Sequence, residues 1–486
     1  MNDNDERKEY CIRLLEEILY VNDHGGFNDY GNPPTNINYG YLMALLNLRG
    51  EVDGIDDLYY SLYSYAIEAG KEAVLNKRKN GEKIRVVFLI YSASQWSVDS
   101  LYKELCNDDR FEVIILLAPL IERSKEDAIH TYSASCDYFN SKGYDYIDSF
   151  DLESMMVLDW ESSCGIPDIL IHLSSWNEGM PECYSVTELP LTTLNIYIPY
   201  AMYTVNSVDG NFIKELVYDK PFMNLMWQIY VPFEQDKIEY SQYEYLKGEN
   251  VVVGGYPKMD SIIFPNKYLD EDIKRLWKIP EGKRIEEIKK VIISPHYTIM
   301  YGGDGLSLST FHENAYFLLY LAKKYSDRIS FVFKPHPNLR MNAVRLGFFA
   351  NHKQYDDYIN EWNSLPNCKV VDESEYTDWF VTSDGCINDS GSFLLEYQFT
   401  GKPMLYLRKE SQRLRSSINH LTDIVYNVDG GDYCGIEGFL DDVIINGKDT
   451  LDSLRKDFFE NGLFYDQEQK SGTKIYKNIC DQLFES

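Results

Sequence analysis

The sequence predicts an α/β protein of two doubly wound parallel units in tandem, behind a helical N-terminal extension. Three observations carry that reading. Short apolar runs alternate with helical segments from Lys83 onward. A breaker-rich stretch, Gly254 to Asp260 (Gly-Gly-Tyr-Pro-Lys-Met-Asp), marks a junction between the two halves. In the second half, three apolar runs stop abruptly in polar residues, as buried parallel strands do.

Taken in order, residues 1–82 carry helical segments at Glu6 to Val21, Tyr41 to Leu48 and Leu58 to Asn76, with a Gly/Asn/Pro-rich connection from His24 to Gly40. Ile84 to Tyr91 and Phe111 to Ala118 are strands, followed by an amphipathic helix from Ser124 to Asn140. Pro167 to Leu173 and Leu194 to Ile198 are later strands of the same sheet. The second α/β unit runs from about Lys289 to Leu407, and the chain from Asp449 onward is helical and charged. The expected division is therefore 1–82, 83–258, 259–448 and 449–486.

Composition removes several function classes. At 486 residues the chain exceeds one ordinary core. A formal charge of −30 disfavours nucleic acid and broad adhesion to anionic lipid. No apolar stretch reaches membrane-helix length, and the acidic N-terminus lacks a secretory layout. Nine scattered cysteines form no Cys-x-x-Cys pair, so a reducing cytosol is the expected location. Forty tyrosines suit either packing or platforms for a sugar.

The chemistry concentrates at the three strand ends of the second half: Val291 to His296, Ile329 to Pro337 and Gly385 to Ser392. Ligands of open parallel sheets sit beyond the carboxyl ends of the strands. Lys334-Pro-His-Pro337 holds His336 in a Pro-restricted loop, and His296 closes its strand in the same manner. A lysine and a histidine two residues apart suit a diphosphate. Asp389-Ser-Gly-Ser392 opens a helix, where unsatisfied amides cradle phosphate oxygens, with Ser390 and Ser392 as added donors. Ordinary capping by Asp389 or Ser390 is the plain alternative. Glu396, a turn further on, is placed to accept bonds from ribose hydroxyls. His172 reads as a core residue of its strand. No metal-ligand spacing, phosphate-binding loop of the Gly-x-x-x-x-Gly-Lys type or Gly-x-Ser-x-Gly elbow appears.

Phe333 to Pro337, Thr382 to Phe393, Glu396, Thr400 to Leu407 and Val253 to Asp260 together resemble the CDP-glycerol glycerophosphotransferase family, which makes teichoic-acid-like polymers. The likeness spans about residues 165–410. It implies a GT-B fold, with two Rossmann-like domains facing a cleft. It implies a nucleotide donor (CDP-glycerol or similar) as substrate, with no other cofactor. His296, Lys334 and His336 would then neutralise the diphosphate, and Asp389, Ser390, Gly391, Ser392 and Glu396 would complete the donor site. The expected acceptor is a cell-envelope polysaccharide or lipid-linked glycan, reached from the cytoplasm or the inner face of the membrane.

One departure stands out. Family polymerases carry a His-Gly-Thr word in the first domain, whereas the corresponding stretch here is Tyr197 to Ala201, without histidine. A tyrosine of ordinary pKa, about 10, is a poor base near neutrality. Glu178 is the expected substitute, on a loop beyond the strand that ends at Leu173. Two other activities remain open: a GT-B glycosyltransferase using a CMP-, CDP- or UDP-sugar, and a non-catalytic nucleotide- or glycan-binding subunit.

Overall fold

The protein is described by a computed structural model covering residues 3–23, 37–121, 125–176, 179–207, 209–300, 306–371, 375–461 and 468–484. The chain forms two units. The first comprises residues 1–200, 217–258 and 469–486, the second residues 201–216 and 259–468.

The first unit is organised on seven parallel strands: β1 (Ile84–Ile90), β2 (Phe111–Leu117), β3 (Ile147–Asp148), β4 (Ile169–His172), β5 (Leu194–Tyr197), β6 (Gln228–Val231) and β7 (Val251–Val253). Their order is β3-β2-β1-β4-β5-β6-β7, the reversal at β1/β4 being that of a doubly wound sheet. β1 and β4 are buried along almost their whole length, which is why they read as continuous apolar runs. β6 and β7 are only four and three residues long, too short to show such a run.

The N-terminal helices α1 (Asp3–Asp23), α2 (Tyr39–Asn47) and α3 (Ile55–Lys79) belong to this unit. The connection from His24 lies outside the described residues as far as Asn36. Helix α3 approaches β5 closely at Gly70, where a Cβ would stand 2.6 Å from Leu194 Cδ2. At its C-terminal end Lys77 Nζ meets Asp168 at 2.8 Å, and Asp168 also accepts the Arg85 N–H at 2.7 Å. One carboxylate thus ties the helix to the starts of β1 and β4. The tyrosines of α3 serve packing. Tyr59 donates to the Asn224 carbonyl at 2.6 Å, and Tyr63 to that of Met226 at 2.8 Å.

Beside them, Glu244 is 4% exposed. Burial pushes its carboxyl up to about 8. Oε2 accepts the Gly248 N–H at 3.1 Å, while Oε1 and the neighbouring Asn250 Oδ1 are both buried without a partner. The Asn250 amide is held in its orientation by two donations, to the Met223 and Met226 carbonyls at 3.2 Å each. A proton on Glu244 would therefore give both orphaned oxygens a partner. Because the folded value lies above the ordinary 4.5, this contribution is complete below about 4.5 and is lost as pH rises through about 8, on the order of 5 kcal/mol in total. Glu244→Gln keeps a donor for Asn250. Its Tm should vary less than that of the native protein between pH 5 and 8 and exceed it at pH 8; parallel curves would exclude a neutral Glu244.

The second unit has six parallel strands: β8 (Lys289–Ser294), β9 (Ile329–Phe333), β10 (Cys368–Val370), β11 (Gly385–Asn388), β12 (Met404–Arg408) and β13 (Tyr426–Asp429), in the order β10-β9-β8-β11-β12-β13. Helix α5 (Phe311–Lys324) packs its apolar face, including Phe311, Ala315, Leu318 and Ala322, into a core with Val291, Ile293, Phe331 and Phe333. Helix α6 (Gly391–Glu396) follows β11, and α7 (Asp452–Asn461) lies near the end of the unit.

The segment from Asp449, expected as one piece, is divided. Helix α7 stays with the second unit, while α8 (Ser471–Phe484) belongs to the first. There Ile475, Ile479 and Leu483 are almost fully buried. Gly472 lets α8 approach α4 (Asp99–Cys106), since a Cβ would stand 2.3 Å from Ser100 Oγ and 2.4 Å from the Leu101 nitrogen.

Candidate active site

The three polar strand ends of the second unit do come together. β8 pairs with β9 on one side (Ile293↔Phe333) and with β11 on the other (Ser294↔Asn388). The ladder continues past the strands, with Lys334 N–H donating to the Ile293 carbonyl at 2.8 Å and His336 N–H to that of Pro295 at 3.1 Å. The Pro-restricted loops therefore run side by side. The His296 and His336 rings are 5.0 Å apart, and Tyr297 packs against both, at 4.5 and 4.4 Å.

The hydrogen bonds assign the tautomers. Asn338 N–H donates to His336 Nδ1 at 3.1 Å. His296 Nδ1 takes the Thr298 N–H at 3.3 Å and lies 2.8 Å from Thr298 Oγ1. Each Nδ1 is thus an acceptor, and each neutral ring carries its proton on Nε2. Burial lowers the His336 pKa to about 4, helped by the Lys334 charge. Burial and His336 hold His296 well below its ordinary value. The two histidines therefore bring no positive charge at neutral pH, contrary to the expectation that they neutralise a diphosphate. They present neutral N–H donors, and Lys334 supplies the cation.

Lys334 is 9% exposed, its Nζ 5.7 Å from the Tyr376 ring centre. Tyr376 in turn donates its hydroxyl to Glu396. With 1% exposure, Glu396 lies beneath that ring rather than open to a ribose.

Asp389 likewise turns inward. Oδ1 accepts the His296 N–H at 2.6 Å; Oδ2 accepts the Thr310 N–H at 2.7 Å, the Thr310 hydroxyl at 3.0 Å and the Ser309 hydroxyl at 3.3 Å. Burial raises its pKa to about 6 against these four donors, so it is ionised at neutral pH. It braces the His296 loop against the start of α5 and, at 1% exposure, is not open to a donor ligand.

Ser390 precedes α6 without making a side-chain cap bond, and its turn is shaped by Asn388, whose Oδ1 accepts the Ser390 N–H at 3.0 Å. Ser390 and Ser392 are partly exposed, whereas Gly391 is buried. A Cβ on Gly391 would stand 2.3 Å from Val205 Cγ1 and 2.8 Å from Thr204 Oγ1. That segment is itself fixed by pairing with residues 413–415, through Asn206 N–H to the Arg413 carbonyl and Arg415 N–H to that of Thr204, both 2.9 Å. Packing of the chain therefore demands the glycine, whatever binds nearby.

Glu178 lies outside the described residues. At the ends of the first unit's strands, His172 is 2% exposed and bonded through Nε2 to Asn195 at 3.1 Å, with its pKa lowered to about 4 by burial. Tyr197 is fully buried. Neither is open to take a proton from a substrate. Sequence reasoning missed Tyr297, Thr310 and Asn388. Only Asn388, immediately before Asp389, stood inside a recognised word. No group of three or more potential metal ligands occurs among the described residues, and no helix among them is long and apolar enough to cross a membrane.

Two parallel sheets with reversing strand order, each in its own unit, define the GT-B fold, and the chain has it. The sequence matches no protein-family model and no curated protein. Among solved structures it is similar to the wall teichoic acid polymerase TagF, at 12% identity and TM-score 0.50, over 100% of this chain and 99% of that one. A variant of TagF matches at 12% identity and TM-score 0.50, over 99% of both chains. UDP-GlcNAc 2-epimerase from Neisseria meningitidis, bound to UDP-GlcNAc, matches at 15% identity and TM-score 0.47, over 83% of this chain and 100% of that one.

Proposed function

We propose that the protein is a transferase that moves glycerol phosphate from CDP-glycerol, or a related group from a similar nucleotide donor, to a cell-envelope polysaccharide or teichoic-acid-like acceptor. The observation that supports this most is the pairing of His296 and His336. Each ring's Nδ1 is tied to its own loop, and the Lys334 charge acts on the His336 ring. Two fixed neutral donors and one cation suit the oxygens of a diphosphate. The TagF likeness supports the same reading at the level of fold.

In the reaction, an acceptor hydroxyl forms a bond to the donor's β-phosphorus as the bridging P–O bond breaks and CMP leaves. Charge grows on the departing phosphate, where donors already in place stabilise it without reorganising. Glu178 is the proposed acceptor of the hydroxyl proton.

The reading is tested by incubating the full chain with CDP-glycerol and an envelope glycan fraction and following CMP, against UDP-sugars and UDP. Release of CMP dependent on the acceptor is expected, together with a rise in Tm with CDP. Release of UDP alone would assign a glycosyltransferase instead. A non-catalytic binding subunit is favoured by one observation, the burial of His172 and Tyr197 at the first unit's strand ends. It requires a CDP-induced rise in Tm with no turnover of any donor.

A further inference from the structure

One cavity of the second unit is not lined by the two histidines, Lys334 or the Ser390 turn. It is an open cleft of about 980 Å³ beyond the carboxyl ends of β12 and β13, at the upper end of the range of ligand sites, roughly 300–1,000 Å³. The cleft is held open by its own structure. Lys409 Nζ donates to the Ile299 carbonyl at 2.6 Å and to Ser307 Oγ at 3.0 Å. Gln412 Nε2 donates to the Leu308 and Leu407 carbonyls at 2.7 and 3.1 Å. Arg413 Nη1 bonds the Glu410 carbonyl at 2.7 Å. These bonds fix the walls.

Two features indicate what the cleft takes. Its lining is polar and balanced in charge, with Arg408, Lys409 and Arg413 against Glu313, Glu410 and Asp429. Such a set supplies donors and acceptors without a net field, which matches neither a polyanion nor a polycation. Hydroxyl groups, each able to donate and to accept, match it. The second feature is independent. Tyr406, part of the lining, is 2% exposed, and its hydroxyl is buried without a partner. Phenol hydroxyls at buried positions normally find one. Tyr406 also stands in register with Asn388, the residue before Asp389, so the cleft adjoins the candidate active site along the same sheet edge.

We propose that this cleft binds a polyhydroxylated chain, a short stretch of the glycan or polyol acceptor, with the Tyr406 hydroxyl and the Glu410 and Asp429 carboxylates bonding its hydroxyls. The role of that chain as acceptor rests on the transferase reading; its binding does not. The exposed side chains of Glu410 and Asp429 are accessible to such a ligand, and the cleft has room for more than one sugar unit.

The test is direct binding of soluble, uncharged oligosaccharides of three to six units (neutral hexose and N-acetylhexosamine series) to the full chain, by saturation-transfer NMR and calorimetry. At least one series is expected to bind. Tyr406→Phe should then weaken binding about five-fold or more while leaving the unliganded Tm equal or higher, because it removes an unsatisfied buried group. The exposed Glu410→Gln should weaken it too, with folding unaffected. CDP binding, measured in parallel, should be unchanged in both variants. Failure of the wild type to bind any series, or equal affinity in both variants, would overturn the proposal. Displacement of a bound oligosaccharide by CDP would also overturn it, by placing the nucleotide in the cleft. Loss of CDP binding with oligosaccharide binding retained would instead count against the nucleotide-donor reading alone.

Discussion

His336→Ala should lower transfer by about 10²–10³-fold, the range for removing one fixed donor to developing charge, and weaken CDP binding by about ten-fold or more. The fold should survive. His336 is partly exposed, and the hydrogen bond described for its ring is the acceptance of the Asn338 N–H within its own loop; its backbone bonds survive the substitution. Steady-state CMP release together with a melting curve separates the outcomes. Native turnover in a folded variant would leave the histidine with no role beyond packing on Tyr297. His296→Ala should behave alike in turnover but lose more stability, because its ring accepts two bonds that order the Thr298 turn.

Asp389→Asn should have the opposite signature, a large loss of stability. The carboxylate accepts four bonds, two of them from backbone N–H groups that cannot turn away. Any orientation of the amide that places its NH₂ where Oδ1 or Oδ2 stood sets N–H against N–H. One buried donor is then left unpaired, and a buried anion's bonds are lost at the same time, a cost of about 2–4 kcal/mol. For a unit of this size the Tm should fall by roughly 5–15 °C. Because Asp389 holds the His296 backbone, CDP binding should weaken as well. A variant with native Tm but no donor binding would instead mean that Asp389 faces the ligand.

These two residues show where sequence was informative. The apolar runs ending at Ser294, Phe333 and Asn388 were legible because fully buried parallel strands admit almost no polar residue, and the strand order follows from the doubly wound pattern. The Pro-flanked His336 was legible because proline restricts backbone conformation locally. The role of Asp389 was not. A carboxylate before Ser-Gly-Ser reads as a cap or a ligand group, and only the fold brings Ser309 and Thr310 to it, about eighty residues away. Gly391 was read as room for a phosphate, yet its neighbour is Val205, from a segment that sequence reading assigned to the other half. The charge of the histidines was also invisible, since it depends on burial. The short strands β6, β7 and β10 carried too few apolar residues to register.

The return of α8 to the first unit has a consequence for biogenesis. Chains emerge from the ribosome N-terminus first, at about 5–20 residues per second, and domains ordinarily finish in that order. Here the order is reversed. All residues of the second unit, the last of them Glu468, are synthesised before Ile475, Ile479 and Leu483, which fill the core of the first. The earlier-made half must wait with an uncovered apolar face until α8 has been synthesised. A nascent chain stalled before Ser471 would therefore offer chaperones an incomplete first unit beside a second that already has all its parts.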